Sequence, residues 1–360
     1  MEQEMAEPVR GRVKCVVWDL DHTLWDGILS EGDEVRPRPG VEATLRTLDE
    51  RGILLSIASK NDAGPAMAKL AELGLEDYFL YPQVNWGAKS QSIARIAEAF
   101  NIGIDALAFI DDQPFERDEV ASVHADVLCL DAGEVATLLE CPELQPRFIT
   151  DESRRRRQMY RSDQQRNESE QDFEGPRESF LASLGLVFSI APADVEDLRR
   201  LEELVARTNQ LNTTGRIYSH AELDAFRVSP RHELLVASLE DKYGEYGKIG
   251  LALVEKSGRD WTIRAFLMSC RVISRGVGST FLNWIVNRAR EAEVHLFADM
   301  VPNERNRMMY ATYRFAGFQP HAKNGGAEVL KHELAADAAY PEYVRVRSFV
   351  PSGESPAGTV

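Results

Sequence analysis

Three short apolar runs punctuate the first half of the chain, and each stops at a cluster of polar residues. Val16-Val17-Trp18 runs into Asp19-Leu20-Asp21-His22-Thr23-Leu24-Trp25, and Ile53 to Ala58 runs into Ser59-Lys60-Asn61-Asp62. Ala106 to Ile110 runs into Asp111-Asp112-Gln113-Pro114. Apolar runs of this length predict buried strands, and the periodic Ile93, Ile96, Ala97 and Phe100 predict a helix opening near Lys89. The pattern then breaks: 151–178 carries Arg154-Arg155-Arg156-Arg157 and few apolar residues, and reads as an exposed, partly helical connector. The arginine run reads either as a solvated helix face or as a docking patch for an acidic partner. Apolar periodicity returns at Phe180, Leu181 and Leu184, then at Leu198, Leu201 and Leu204 on a helix. This predicts α/β domains over 13–150 and 179–346, a disordered N-terminus over 1–12 and a disordered tail over 347–360.

The polar clusters carry the chemistry. Asp19 and Asp21 are spaced i, i+2 at a strand's C-terminal end, where open parallel sheets place their ligand sites. Two acids held close repel each other unless a cation or a shared proton lies between them. A small hard cation such as Mg²⁺ suits an all-oxygen setting, and phosphate is the usual group it holds. Each later strand also ends on a hydroxyl or carboxylate, and Lys89 opens a helix.

In order, these four elements resemble the motifs of the haloacid dehalogenase superfamily. The resemblance implies a Rossmann-like domain with a parallel sheet. It makes Asp19 the nucleophile that becomes an aspartyl phosphate, and Asp21 the acid/base. Ser59 and Lys89 would bind the transferring phosphoryl group, with Thr23, Lys60 and Asn61 lining the substrate site. Mg²⁺ would be held by Asp19, the backbone carbonyl of Asp21, and Asp111 and Asp112, with the direct ligand among the last two left open. Only about 35 residues separate Thr23 from Ser59, and about 30 separate Ser59 from Lys89. Neither interval holds an inserted lid, which marks the cap-less subclass, so 25–40 is expected to be a flap.

Composition narrows the setting. The four cysteines, Cys15, Cys129, Cys141 and Cys270, form no CxxC pair and suit a reducing cytoplasm. Met1 to Arg12 lacks the apolar core of a signal peptide, and no apolar run approaches the ~20 residues of a membrane span. A net charge of −16 argues against a general nucleic-acid binder.

The second domain has its own signature. Ile249 to Val254 and Trp261 to Met268 predict two strands around the turn Ser257-Gly258-Arg259-Asp260. They lead into Arg271-Val272-Ile273-Ser274-Arg275-Gly276-Val277-Gly278 and a helix from Thr280. A Gly-bearing turn into a helix N-terminus exposes N–H groups to an anion. A strand over Val294 to Ala298 follows, then Asn303, Asn306, Tyr310 and Phe315-Ala316-Gly317-Phe318. That order resembles the GNAT acyltransferase fold, whose glycine loop holds the pyrophosphate of a pantetheine cofactor. The family's Arg/Gln before the first loop glycine falls on Ile273, which points to the phosphopantetheine arm of a carrier protein in place of coenzyme A. Cys270 reads either as a buried strand cysteine or as a thiol nucleophile activated by Arg271, Arg275 and the helix N-terminus. Arg207, Asn209, Gln210 and Asn212 read either as a capped helix end or as an acyl-binding set. Residues 241–247 read as a ligand loop or a plain hairpin, and His295 as a base for Cys270 or a structural histidine.

The fusion of the two domains resembles the FkbH-like glyceryl transferase/phosphatases. The residues that carry it are 17–27, 110–117, Arg207-Thr208-Asn209-Gln210-Leu211-Asn212 and Met268-Ser269-Cys270-Arg271-Val272. The resemblance implies that Cys270 takes the glyceryl unit of 1,3-bisphosphoglycerate, a small phosphorylated three-carbon substrate. Asp19 and Asp21 with Mg²⁺ would remove the remaining phosphate, and an acyl carrier protein of polyketide biosynthesis would receive the product. Gly87-Ala88 before Lys89 and Gly278 after Val277 depart from the pattern expected there, a proline and an acid. Two alternatives stand beside this reading: a stand-alone Mg²⁺-dependent phosphatase of a small metabolite, and a coenzyme-A-dependent acyltransferase fused to such a phosphatase.

Overall fold

The computed structural model describes residues 12–208, 211–304 and 306–349, and the chain divides into two compact units, Met1–Arg161 and Ser162–Val360. No helix among the described residues is long and apolar enough to cross a membrane.

In the first unit the apolar runs form an all-parallel, five-stranded sheet. Its order is Gln83–Val84, Leu54–Ser59, Cys15–Trp18, Leu107–Asp111 and Leu128–Asp131. Cys15–Trp18 is central, and all four of its residues are fully buried. Val16 and Trp18 pack on one face with Leu45 and Leu70 of the helices Val41–Glu50 and Ala63–Glu72. Cys15 and Val17 pack on the other with Ile93 and Val120 of Lys89–Phe100 and Pro114–Val123. Two covered faces explain why the strands read as continuous apolar runs rather than alternating ones. Trp18 lies opposite both Ile57 and Ile110, so the polar clusters that follow the three strands arrive side by side. Between Thr23 and the strand Leu54–Ser59 the chain makes a small hairpin, Trp25–Asp26 with Arg36–Pro37, a 3₁₀ turn over Leu29–Glu31 and the helix Val41–Glu50.

The second unit is built on a mixed eight-stranded sheet. Its order is Gln319–Asn324, Ala327–His332, His295–Met300, Asp260–Met268, Gly244–Ser257, His232–Asp241, Leu186–Pro192 and Val344–Ser348. Asp260–Met268 and His295–Met300 run parallel, but they pair only from Asp260↔His295 to Ile263↔Ala298. Beyond that point Leu211–Thr213 enters the gap. Met268 N donates to Leu211 O (3.0 Å), Thr213 N to Phe266 O (3.0 Å) and Val301 N to Thr213 O (3.0 Å). The fully buried Asn306 pins this segment, with Nδ2 donating to Asn212 O (3.1 Å) and Val301 O (2.9 Å).

Two expectations need correction. The 151–178 stretch is helical over Asp151–Arg154 and Arg156–Gln171, and it is not simply exposed. In the first unit Arg156 Nη1 donates to Gly52 O (2.6 Å) and Arg157 grips Asp49 (2.9 and 3.0 Å). In the second, Arg166 is fully buried against Asp241 (2.7 and 2.9 Å) and Asp163 (2.7 Å). A guanidinium is a fork of five donors, so an arginine-rich sequence that looks solvated can be internal when carbonyls and carboxylates meet it. The ordered chain also reaches past 346: Val344–Ser348 pairs parallel with Leu186–Pro192, and Phe349 N donates to Ile190 O (2.9 Å). The rest of the expected tail, 350–360, and residues 1–11 of the expected N-terminus lie outside the described residues.

Candidate functional site

The ends of adjacent parallel strands gather the acids of the first unit. Asp19 follows the central strand and its amide donates to Ile110 O (2.9 Å), while Asp111 is the last residue of the neighbouring strand. Asp19, Asp111 and Asp112 each offer a carboxylate oxygen, and these oxygens lie within 4.8 Å of one another. Lys89, the first residue of its helix, donates to Asp19 Oδ1 (2.8 Å) and also to Asp111 Oδ2, with all three side chains buried.

One ammonium thus faces three carboxylates in a buried setting. Burial pushes the Asp19 carboxyl up to about 7, with Lys89 opposing the shift and Asp111 adding to it. Burial raises Asp111 as well, again opposed by Lys89. Burial works against the charge on Lys89, but Asp19 and Asp111 outweigh it and raise its pKa. Asp112 Oδ1 is buried with no hydrogen-bond partner among the described residues. Three clustered carboxylates with an orphaned oxygen fit a hard divalent cation such as Mg²⁺. Asp19, Asp111 and Asp112 are the side chains that would hold it.

Asp21 stands apart from that cluster. Its Oδ1 accepts from Trp25 Nε1 (2.7 Å) and Leu29 N (3.1 Å), and its Oδ2 accepts from Asn61 Nδ2 (3.0 Å). Its carboxylate is therefore tied to the hairpin and to the loop after Ser59, and it is not one of the acids whose oxygens cluster. Trp25 and Leu29 were not identified from sequence as site residues; the signal for the first is an indole N–H four residues beyond the acid. Thr23 is fully buried and its Oγ1 accepts from Asp112 N (3.0 Å), so it fixes the metal loop rather than facing a ligand. Ser59 is the buried last residue of the strand beside the one that leads to Asp19. Lys60 Nζ donates to Glu116 Oε1 (2.8 Å), a partner the sequence did not suggest.

The second unit places its expected site residues differently. Cys270, half-buried, opens a 3₁₀ turn over Cys270–Arg275. Arg271 and Arg275 do not reach outward to an anion. Arg271 Nη2 donates to Tyr246 O (2.6 Å), and the buried Arg275 pairs with Glu170 (3.1 Å), because acids and carbonyls of the unit's interior lie within their reach. Gly276 has φ 72 at the start of Val277–Glu291, and a Cβ there would lie 2.5 Å from Tyr343 Oη, so that position requires glycine. Gly278 is less demanding, since a Cβ would lie 3.8 Å from Met268 Cγ.

His295 is not a base for Cys270. It is exposed and bonded to Asp260 Oδ1 (2.9 Å), opposite the first residue of the strand whose far end leads to Cys270. Nine strand residues put the two on the order of 25 Å apart. Asn212 Oδ1 accepts from Gly215 N (3.0 Å) and Thr214 N (3.2 Å), and Asn303 and Asn306 exchange bonds between amide and side chain (2.9 and 3.0 Å). These asparagines shape turns. Arg207 is half-buried at the end of Asp197–Arg207, while Asn209 and Gln210 lie outside the described residues. Residues 241–247 form a hairpin turn with a register shift between Glu245 and Gly247. Beside the turn of Cys270 is a cavity of about 360 Å³, lined by Val272, Ile273, Phe266, Met268, Met308 and Phe315. Met308 and Phe315 are exposed at 51% and 92%, so apolar surface continues from the cavity to solvent.

Comparison with known proteins bears on the first unit most directly. Residues 26–116 match the family model of haloacid dehalogenase-like hydrolases. The match includes Ser59, Lys89, Asp111 and Asp112, and begins past Asp19 and Asp21, whose assignment rests on the geometry above. The first unit is thus a haloacid dehalogenase-like hydrolase domain on a parallel sheet, and both units are α/β. Among curated proteins no relative matches the chain. The chain is similar to the N-terminal part of BF1531 from Bacteroides fragilis, which contains a phosphatase domain complexed with Mg, at 29% identity over 37% of this chain (TM-score 0.33). It spans 41% of that protein's length. It is also similar to the PaiA N-acetyltransferase from Thermoplasma acidophilum in complex with coenzyme A, at 15% identity over 40% of this chain and 98% of that one (TM-score 0.34). The ribosomal-protein-S18-alanine N-acetyltransferase from Escherichia coli matches at 14% identity over 42% of this chain and 99% of that one (TM-score 0.33).

Proposed function

We propose that the chain is a Mg²⁺-dependent phosphatase fused to an acyl-transfer domain, acting on a phosphoglyceryl unit and delivering glycerate to an acyl carrier protein for polyketide biosynthesis. The observation that carries the phosphatase half is the cluster of Asp19, Asp111 and Asp112 with Lys89 at the C-terminal end of the parallel strands. In the first half-reaction the Cys270 thiolate attacks the acyl carbon of 1,3-bisphosphoglycerate. A C–S bond forms, the C–O bond to phosphate breaks, and inorganic phosphate leaves. In the second, the Asp19 carboxylate attacks the phosphorus of the remaining ester and the P–O bond to the carbon chain breaks. Asp21 gives its proton to the departing oxygen, then takes one from the water that hydrolyses the aspartyl phosphate. Lys89 holds charge against the phosphoryl oxygens, and Asn61 and Trp25 hold Asp21 in place. Mg²⁺ bound by Asp19, Asp111 and Asp112 would supply the remaining positive charge.

The acyl half rests on the turn that opens with Cys270, whose Val272 and Ile273 line an apolar cavity suited to the thin arm of a phosphopantetheine group, in a reducing compartment such as the cytoplasm where the thiol persists. The inward-facing Arg271 and Arg275 favour the plain phosphatase as the second reading. Intact-protein mass spectrometry with Mg²⁺ and 1,3-bisphosphoglycerate separates the two. Expected are a glyceryl adduct on wild type, a phosphoglyceryl adduct on Asp19→Asn and none on Cys270→Ala. Phosphate release by wild type with no adduct on any of the three would leave the phosphatase alone.

A further inference from the structure

We propose that Lys60 is a specificity-determining residue that binds the acyl oxygens of the substrate, so that the first unit prefers a phosphorylated hydroxy acid or its thioester to the phosphate of a neutral polyol. This rests on the phosphatase reading above and names the substrate class of that same site. Lys89 has little left to offer an acyl group: its side chain is 5% exposed, two of its three donors go to Asp19 and Asp111, and the third is the one left for the phosphoryl group. Lys60 is the lysine of this site that reaches solvent, at 36% exposure. It leaves the loop that carries Ser59 and Asn61, and its ammonium meets Glu116 on the helix that follows Asp112. It therefore bridges two of the three loops that build the site, two strand spacings apart.

Glu116 is what holds it there. This carboxylate is buried, with Oε1 taken by Lys60 and Oε2 without a partner among the described residues. An ammonium has three donors, and the bond to Glu116 uses one. The two that remain can serve a ligand without Lys60 leaving its anchor. The charge around the site calls for that. The five carboxylates of Asp19, Asp21, Asp111, Asp112 and Glu116 outnumber the charge of two ammonium groups even with a divalent cation added, so a ligand with acceptor oxygens beyond its phosphate is repelled unless a cation meets them.

The test compares Mg²⁺-dependent phosphate release from 3-phosphoglycerate, from its N-acetylcysteamine thioester and from glycerol 3-phosphate. Wild type is expected to favour one or both acyl substrates over glycerol 3-phosphate by at least tenfold in kcat/KM. Lys60→Met is expected to cut that ratio at least tenfold, mostly through KM, and Lys60→Arg to restore part of it. A loss confined to the free acid identifies a carboxylate as the group bound, and a loss shared by the thioester identifies the acyl carbonyl. A ratio unchanged in Lys60→Met, or equal losses on all substrates in Lys60→Met and Glu116→Gln, would overturn the proposal and leave the pair a structural tether. If wild type releases phosphate from none of the three, the phosphatase reading falls. Calorimetric binding of 3-phosphoglycerate and glycerol 3-phosphate to Mg²⁺-loaded Asp21→Asn, with and without Lys60→Met, then still decides the role of Lys60.

Discussion

Lys89 and Asp19 meet at 2.8 Å with both side chains buried, although 70 residues separate them in the chain. The ammonium also holds Asp111, so a single cation keeps two ionisable acids together at the sheet's end. Lys89→Met is expected to destabilise the metal-free protein by roughly 3–5 kcal/mol, because breaking a buried pair leaves its partners uncompensated. Saturating Mg²⁺ is expected to restore much of that stability and none of the turnover, since the lysine also faces the phosphoryl group. Urea unfolding with and without Mg²⁺, beside phosphate release, checks both. Full activity in the variant would remove Lys89 from the chemistry.

Proton and metal compete for the same acid. In the metal-free protein Asp19 keeps its proton up to about pH 7, whereas in the unfolded chain a carboxyl loses it near pH ~4. The folded state binds more protons across that window, so this contribution to stability is present below the lower value and is lost as pH rises through the higher. A divalent cation needs the ionised carboxylate. Binding of Mg²⁺ is therefore expected to release protons below pH 7, and its affinity to rise with pH and level off above 7. Calorimetry in two buffers of different ionisation enthalpy measures that release directly. Mg²⁺ affinity independent of pH between 5 and 8 would place the metal away from Asp19.

What could be read in the sequence was whatever follows from local order along the chain. Asp19, Ser59, Lys89 and Asp111 were legible because apolar runs mark strands, and a parallel sheet brings strand ends together without further information. Partners that depend on long-range register were not legible. His295 looked like a neighbour of Cys270 because its strand lies beside the strand leading there, but the parallel pairing begins at Asp260 and puts it at the opposite end. Arg156, Arg157 and Arg166 looked solvated because nothing local shows that Gly52, Asp49 and Asp241 wait for them. The insertion of Leu211–Thr213 beside Asp260–Met268 is of the same kind, set by Asn306 almost a hundred residues away.

Gly52 tests one of those hidden partners. Its φ is 68, and a Cβ there would lie 2.6 Å from Arg156 Nη1 and 2.7 Å from Ser153 O. Gly52→Ala is expected to cost roughly 2–4 kcal/mol, from the left-handed backbone together with displacement of the arginine. Because the two changes strike the same contact, Gly52→Ala and Arg156→Ala should be clearly non-additive in a denaturation cycle. Additive losses would mean that Arg156 does not need the carbonyl of Gly52.

Asn61 offers the cleanest separation of metal binding from proton transfer. Its side chain donates to Asp21 Oδ2 (3.0 Å) and its own Oδ1 accepts from Asp62 N (3.1 Å), so it is locked while it orients the acid. Among the described residues its side-chain hydrogen bonds go to Asp21 and Asp62 and not to Asp19, Asp111 or Asp112. Asn61→Ala is expected to lower kcat on an alkyl phosphate by about 10–100-fold, the scale of a misplaced acid/base group, while Mg²⁺ affinity stays within twofold. The loss should shrink on p-nitrophenyl phosphate, whose leaving oxygen departs without a proton. Asn61→Asp should not rescue the loss, because a second carboxylate would repel Asp21 instead of donating to it. Equal losses on both substrates would assign Asn61 to holding phosphate, and a fall in Mg²⁺ affinity would assign it to the metal site.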